Sequence, residues 1–289
     1  MTASTNPSTT VPTTGPFLPA ATAASPRIGV FDSGLGGLSV LRAIRQELPA
    51  AELLYFADSG HAPYGERSAE FIVERSLHIA DFLHAQGAQL LVVACNTATA
   101  TAVEQLRQRH PQWPIVGVEP GIKPAAALTR NGRVGVLATT GTLRSQRFQL
   151  LSQAHAAHVQ LQLQPCPGLA AAIEGGDLEA PELKQVVRHC CAPLREAGVD
   201  TVVLGCTHYP FVAHHIQAAL GADVQLIDTA QAVARRTAQL AQALPPQAGG
   251  AASGPPTAVQ LWTSGDAQHL REVAARWLSF ETRVEAVPS

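Results

Sequence analysis

The sequence predicts an α/β protein made of two similar units, each built on a mainly parallel sheet. Three features carry that expectation. Short β-rich runs alternate with helical stretches almost throughout, and a strand-then-helix alternation gives parallel sheets flanked by helices. The chain has 289 residues, 46% hydrophobic and 15% charged; that composition is globular, buries a sizeable core and suggests about two domains. A faint internal repeat is the third feature. RIGV at Arg27–Val30 returns as RVGV at Arg133–Val136, and Gly87-AQLLVVACNT returns as Gly198-VDTVVLGCTH. In both copies a cysteine follows the glycine at the same interval, 87 to 95 and 198 to 206.

The elements follow in order. Arg27–Phe31 is an apolar run bounded by a Gly-rich turn, and Leu38–Leu48 behind it has apolar residues at helical spacing. Glu52–Ala57 is the next strand, and Ala69–Gln86 the next helix, closed by Gly87. Gln89–Ala94, Ile115–Val118, Arg133–Leu137 and Gln160–Gln164 read as strands. Leu183–Ala197 is helical and is closed by Gly198 before the strand Thr201–Gly205. Val224–Ile227, the helix Ala230–Leu244 and the strand Ala258–Trp262 complete the pattern. Pro245–Pro256 (PPQAGGAASGPP) is a low-complexity loop or insertion.

Composition also excludes function classes. The 20 Lys and Arg nearly balance the 22 Asp and Glu, and no basic stripe marks a nucleic-acid partner. The longest apolar runs, such as Gln89–Cys95, are strand-sized, far short of the roughly 20 residues that span a bilayer, so no membrane association is expected. Residues 1–25 are rich in Ser, Thr, Pro and Ala, without the basic and apolar regions of a secretory signal; they read as a disordered tail on a cytoplasmic protein. Five cysteines, an odd number with no CxxC spacing, argue against a disulfide framework and against a zinc site.

The chemistry concentrates at strand ends, where ligands bind in open α/β sheets. Cys95 and Cys206 each follow an apolar strand and precede the start of a helix, whose partial positive charge favours a thiolate. Asn96-Thr97 and Thr207-His208 add hydroxyl, amide and backbone donors suited to a carboxylate. Two such thiols at matched places in a repeat weigh against the plain reading of cysteine as a small buried hydrophobe. For Cys166, Cys190 and Cys191 that plain reading stands.

Phe31–Gly37 (FDSGLGG) follows a strand and opens a helix, yet the third glycine of a dinucleotide fingerprint would fall at Ser39. Asp32 and Ser33 either face a small ligand or cap a turn. In Asp58–Gly65, Pro63-Tyr64-Gly65 forms a turn whose amides either meet a carboxylate or are structural, and His61 reads as a loop histidine. His208, beside a candidate thiol, can move a proton near neutral pH. Glu174, before Gly175-Gly176, reads on its own as a solvated helix-end residue. A pyridoxal cofactor would need a Schiff-base lysine; the candidates are Lys123, just before Pro124, and Lys184 in a polar helix, and neither is compelling. No cofactor and no metal are therefore expected.

Taken in order, FDSGLGGLSVL (31–41), PYG (63–65), VACNTAT (93–99), VEPGIKPA (118–125), GCTHYPF (205–211) and TSGD (263–266) resemble the glutamate racemases. The resemblance implies two three-layer α/β domains related by a pseudo-twofold axis, with the active site in the cleft between them: 26–118 with 229–289, and 119–228. It implies that Cys95 and Cys206 are the two catalytic acid/base thiols, with Asp32, His208 and Glu174 assisting. It implies glutamate binding by Asp32-Ser33, Pro63-Tyr64-Gly65, Asn96-Thr97 and Thr207-His208, deprotonation of L-glutamate by Cys206 and of D-glutamate by Cys95, and D-glutamate supply for peptidoglycan. A homodimer stays open as the assembly. Three other readings stay open too: a racemase for aspartate or another acidic amino acid, a non-catalytic module that closes on an amino acid, and a single-thiol hydrolase that leaves the second cysteine unexplained.

Overall fold

The computed structural model describes residues 25–245 and 259–287. The chain runs β1 (Arg27–Asp32), α1 (Leu38–Glu47), β2 (Glu52–Ala57), α2 (Ala69–Ala85), β3 (Leu90–Val93), α3 (Asn96–Arg109) and β4 (Ile115–Gly117). It continues with α4 (Ile122–Leu128), β5 (Arg133–Ala138), α5 (Thr140–Arg144), α6 (Gln146–His155), β6 (Gln160–Pro165), α7 (Leu169–Glu174), α8 (Pro181–Glu196), β7 (Thr201–Gly205), α9 (Ala213–Leu220) and β8 (Gln225–Ile227). It ends with α10 (Ala230–Ala241), β9 (Val259–Thr263), α11 (Ala267–Trp277) and β10 (Thr282–Ala286). The expected tail through residue 24 and most of the low-complexity stretch, 246–256, lie outside the described residues, as does Ala258 at the start of the last expected strand.

The strands form two sheets, ordered β10-β9-β2-β1-β3-β4 and β6-β5-β7-β8, and all the pairings are parallel. The repeat seen in the sequence has a direct counterpart here. In each unit the first strand sits between the second and third, and the fourth lies at the edge, so β2-β1-β3-β4 matches β6-β5-β7-β8. The paired glycines also match: Gly87 and Gly198 both have positive φ, 83° and 64°, the left-handed exit that ends a helix and that a side chain disfavours. Each thereby turns its helix, α2 or α8, into the strand that leads to a cysteine.

Both faces of the central strands β1, β2, β3, β5 and β7 are buried, which is why these strands read as near-continuous apolar runs. On β1 and β3, Ile28, Val30, Leu90 and Val92 enter one core with α1 and α10 residues, while Phe31, Leu91 and Val93 enter another with α2 and α3 residues. On β7, Val202 and Leu204 join the first of these cores and Val203 a third, beside Phe148 of α6. Strict alternation of side chains along a strand thus produces three layers in each unit. The first core runs without a break from Leu35 and Leu38 in one unit to Leu169, Ile173 and Tyr209 in the other. Among the described residues no helix is long and apolar enough to cross a membrane.

The edge strand β10 (TRVEA) was not among the expected strands. Its exposed Arg283 and Glu285 give it no apolar run, and its parallel pairing to β9 is a tertiary contact.

Candidate active site

The parallel registers bring the strand ends of each sheet level. Asp32 pairs with Ala57 and Phe31 with Val93 in one sheet; Ala138 pairs with Gly205 in the other. The segments that follow β1, β3, β5 and β7 converge on a cavity of about 220 Å³, smaller than the roughly 300–1,000 Å³ that holds a drug-sized ligand and suited to a small metabolite. Ser33, Pro63, Tyr64, Gly65, Cys95, Asn96 and Thr97 line it from the first unit; Glu174, Cys206, Thr207 and His208 line it from the second. Asp32 does not line it; it lies fully buried and accepts hydrogen bonds from Gly37 N–H (2.9 Å) and Gly34 N–H (3.4 Å).

Cys95 is the N-cap of α3: its Sγ accepts from Ala98 N–H at 3.4 Å and donates to Ser33 Oγ at 3.5 Å. The expectation that such a helix start lowers its pKa needs correcting. Burial is the dominant influence, the Asp32 charge adds to it, and together they push the Cys95 thiol up despite the Ala98 and Ser33 bonds, because desolvating a thiolate costs more than one weak dipole returns. The helix expected right after Cys206 also differs. A turn intervenes, then a single 3-10 turn over Tyr209–Val212, and α9 starts only at Ala213.

Around Cys206 the partners are side chains. His208 Nδ1 lies 3.5 Å from Cys206 Sγ, and its Nε2 meets Glu174 Oε1. Burial disfavours the charged imidazolium, but Cys206 and Glu174 outweigh it and hold the His208 pKa above the ordinary value. Glu174, at the last position of α7, is no solvated helix end. Its Oε1 accepts Leu35 N–H at 2.5 Å, and its backbone carbonyl accepts His269 Nε2–H from α11 at 2.6 Å. Burial raises the Asp32 pKa, opposed by the His208 charge and the Gly37 bond. A carboxylate stands behind one thiol, and an imidazole with its own carboxylate stands behind the other.

The glycines of FDSGLGG have a steric reason unrelated to phosphates. A Cβ on Gly34 would sit 2.1 Å from Glu174 Oε1, and one on Gly36 would sit 2.3 Å from His208 Nδ1. The loop is bare so that the second unit can dock against it. Ser39, where a dinucleotide motif would need its third glycine, donates to Thr207 O across the same junction at 2.9 Å.

Two polar cavity residues escaped sequence reasoning, as did the small Ala62, Ala170 and Ala171. Thr139 follows β5 as Ser33 follows β1, so the repeat offset from Arg27 to Arg133 points to it directly. It bonds Thr97 Oγ1 at 3.1 Å and Thr142 Oγ1 at 3.0 Å, joining the two units. Ser59 is the other. The side-chain oxygen of Asn96 is buried with no protein partner, a polar group available to a ligand.

Neither Lys123 nor Lys184 lines this cavity. Glu179, His214 and His215 bring ligand-type atoms within 4.8 Å of one another, outside it. Their donors and acceptors are already committed: His215 Nε2–H to Leu178 O (2.9 Å) and Glu179 Oε2 to Lys184 Nζ (2.7 Å).

Comparison with known proteins shows the family and the fold. Residues 28–237 match the model of the Asp/Glu/Hydantoin racemase family. The chain is 56% identical over 237 residues to the glutamate racemase of Pseudomonas syringae pv. tomato, covering 82% of this chain and 85% of that one. It superposes on Escherichia coli glutamate racemase, solved with L-glutamate and the activator UDP-MurNAc-ala, with a TM-score of 0.82, 35% identity and coverage of 91% and 98%. Francisella tularensis glutamate racemase, solved with D-glutamate, gives a TM-score of 0.77 at 27% identity, covering 91% and 97%.

Proposed function

The chain belongs to the Asp/Glu/Hydantoin racemase family, and on that premise we propose that it interconverts L- and D-glutamate through Cys95 and Cys206. The observation that carries this reading is that the two thiols, one from each unit, line one cavity. Racemisation removes the α-proton on one face and returns a proton on the other. A single fixed base cannot do both; two opposed thiols can. One thiolate takes the α-proton and becomes a thiol, while the opposite thiol gives its proton to the carbanion-like centre and becomes the thiolate. The cysteines end with exchanged protonation states and reset through solvent.

Asp32 serves Cys95, and His208 with Glu174 serves Cys206. The Asn96 amide and the Ser33, Thr97 and Thr207 groups hold the substrate, with the 63–65 wall closing the site. Cys206 acts on L-glutamate and Cys95 on D-glutamate, as in the family resemblance. Donors aimed at the substrate carboxylate stabilise the developing charge in a water-poor cavity. The same reading takes 26–118 with 229–289 and 119–228 as the domains; the membership of the two sheets supports it. It makes the protein a cytoplasmic source of D-glutamate for peptidoglycan, with a homodimer to be tested by light scattering.

The test uses circular dichroism on both enantiomers, with NMR in D₂O. The wild type should racemise glutamate, in preference to aspartate, and place deuterium at the α-carbon. Cys95→Ala and Cys206→Ala should each abolish interconversion in a folded protein. Near-wild-type turnover in either variant would remove that thiol from the mechanism, and binding without α-deuteration in the wild type would make the protein a binding module.

A further inference from the structure

Asp58–Gly65 and Thr263–Asp266 are distant in sequence and meet behind one wall of the cavity. We propose that Asp58 is a positioning residue for the racemisation: its carboxylate clamps the Pro63–Gly65 wall to the first sheet and so sets where the substrate rests. The proposal builds on the racemase reading above.

Asp58 follows β2, is fully buried and does not itself line the cavity. Its two oxygens gather partners from three separate places. Oδ2 accepts Tyr64 O–H at 2.5 Å and Arg75 Nε–H at 3.1 Å; Oδ1 accepts Arg75 Nη2–H at 2.7 Å and Ser264 O–H at 2.7 Å, with His61 Nδ1 at 3.0 Å. Tyr64 belongs to the wall, Arg75 to α2, and Ser264 to the loop after β9. Burial disfavours the charge, yet the bonds from Arg75, Tyr64 and Ser264 hold the Asp58 carboxyl below the usual carboxylate range, so the clamp is ionised.

Two consequences follow from this wiring. The Tyr64 hydroxyl is committed to Asp58, so the wall presents the tyrosine ring and the backbone to the cavity. The wall also faces the second unit closely: a Cβ on Gly65 would lie 3.0 Å from Thr139 Cβ. A shift of the wall therefore changes the width of the cavity between the units. Ser264 secures the clamp from behind, also accepting Gly60 N–H at 3.2 Å, which gives the TSGD segment a role outside the chemistry.

Asp58→Asn keeps the shape of the side chain and removes the charge that orders four donors. In the dichroism assay, the full chain carrying Asp58→Asn should show a KM for both enantiomers raised about tenfold to a hundredfold, the scale of a misplaced binding group, with a smaller loss in kcat. Ser264→Ala, which leaves the Arg75 pair intact, should raise KM by a smaller factor and decides the matter if Asp58→Asn does not fold. A wild-type KM in the folded variants, even with a lowered thermal midpoint, would reduce Asp58 to a purely structural ion pair and overturn the proposal. A wild type that fails to racemise in the same assay would instead overturn the racemase reading.

Discussion

At Cys95 two local forces oppose one another. The first turn of α3 offers Ala98 N–H to the sulfur, while full burial and the nearby Asp32 charge favour the neutral thiol. At Cys206 the nearest polarity is an imidazole whose far nitrogen meets Glu174. Gly36 N–H also lies 3.2 Å from that far nitrogen. A protonated Nε2 donates to Glu174, and a deprotonated one accepts from Gly36, so both states of His208 have a partner. This arrangement predicts that His208→Asn lowers kcat by about 10²–10⁴-fold, the usual weight of acid/base assistance. Because the enantiomers have equal free energy, kcat/KM must fall equally in both directions, and any asymmetry appears in kcat and KM together, by the same factor. Dichroism progress curves started from each enantiomer measure it; an unchanged kcat would leave His208 a mere neighbour of the thiol.

Among the elements, α11 ties stability to the site. Asp266 caps it, its Oδ1 accepting Gln268 N–H (2.8 Å) and His269 N–H (3.3 Å), and His269 then holds the carbonyl of Glu174. Asp266→Ala should cost about 1 kcal/mol, the usual loss of an N-cap, read as a lower urea midpoint with an unchanged m-value. Retention of the wild-type midpoint would show that the cap is dispensable. Most elements were legible because their periodicity is local: the expected strands Glu52–Ala57 and Thr201–Gly205 coincide with β2 and β7. β10 was not legible, since its only apolar commitments are partial and its partner β9 lies across α11. Ser264 was not legible as a support for Asp58 either, as 206 residues separate them.

The whole molecule depends on how the units dock. The bare backbone of Gly34–Gly37 in one unit receives Glu174 and His208 from the other, and Ser39 bonds Thr207 O beside them. A methyl group at Gly36 would therefore act on chemistry in the opposite unit. Gly36→Ala should displace His208 from Cys206 and reduce kcat by about a hundredfold or more, while far-ultraviolet dichroism stays that of the wild type. Full activity in this variant would show that the docking loop tolerates a side chain and that the glycine has another cause.

By itself the sequence determined the two-unit parallel architecture and the pair of strand-end cysteines with their neighbours. Those signals are periodic or repeated over short distances, and alternation, helix-closing glycines and matched spacings are properties of the chain. Tertiary structure alone decided that Glu174 is a half-buried partner of His208, that Asp32 sits behind the cavity rather than in it, that the glycine loop is a docking surface, and that burial raises rather than lowers the Cys95 thiol. Each of these depends on which groups approach from the other unit and on how much water they exclude, and a linear pattern carries neither quantity.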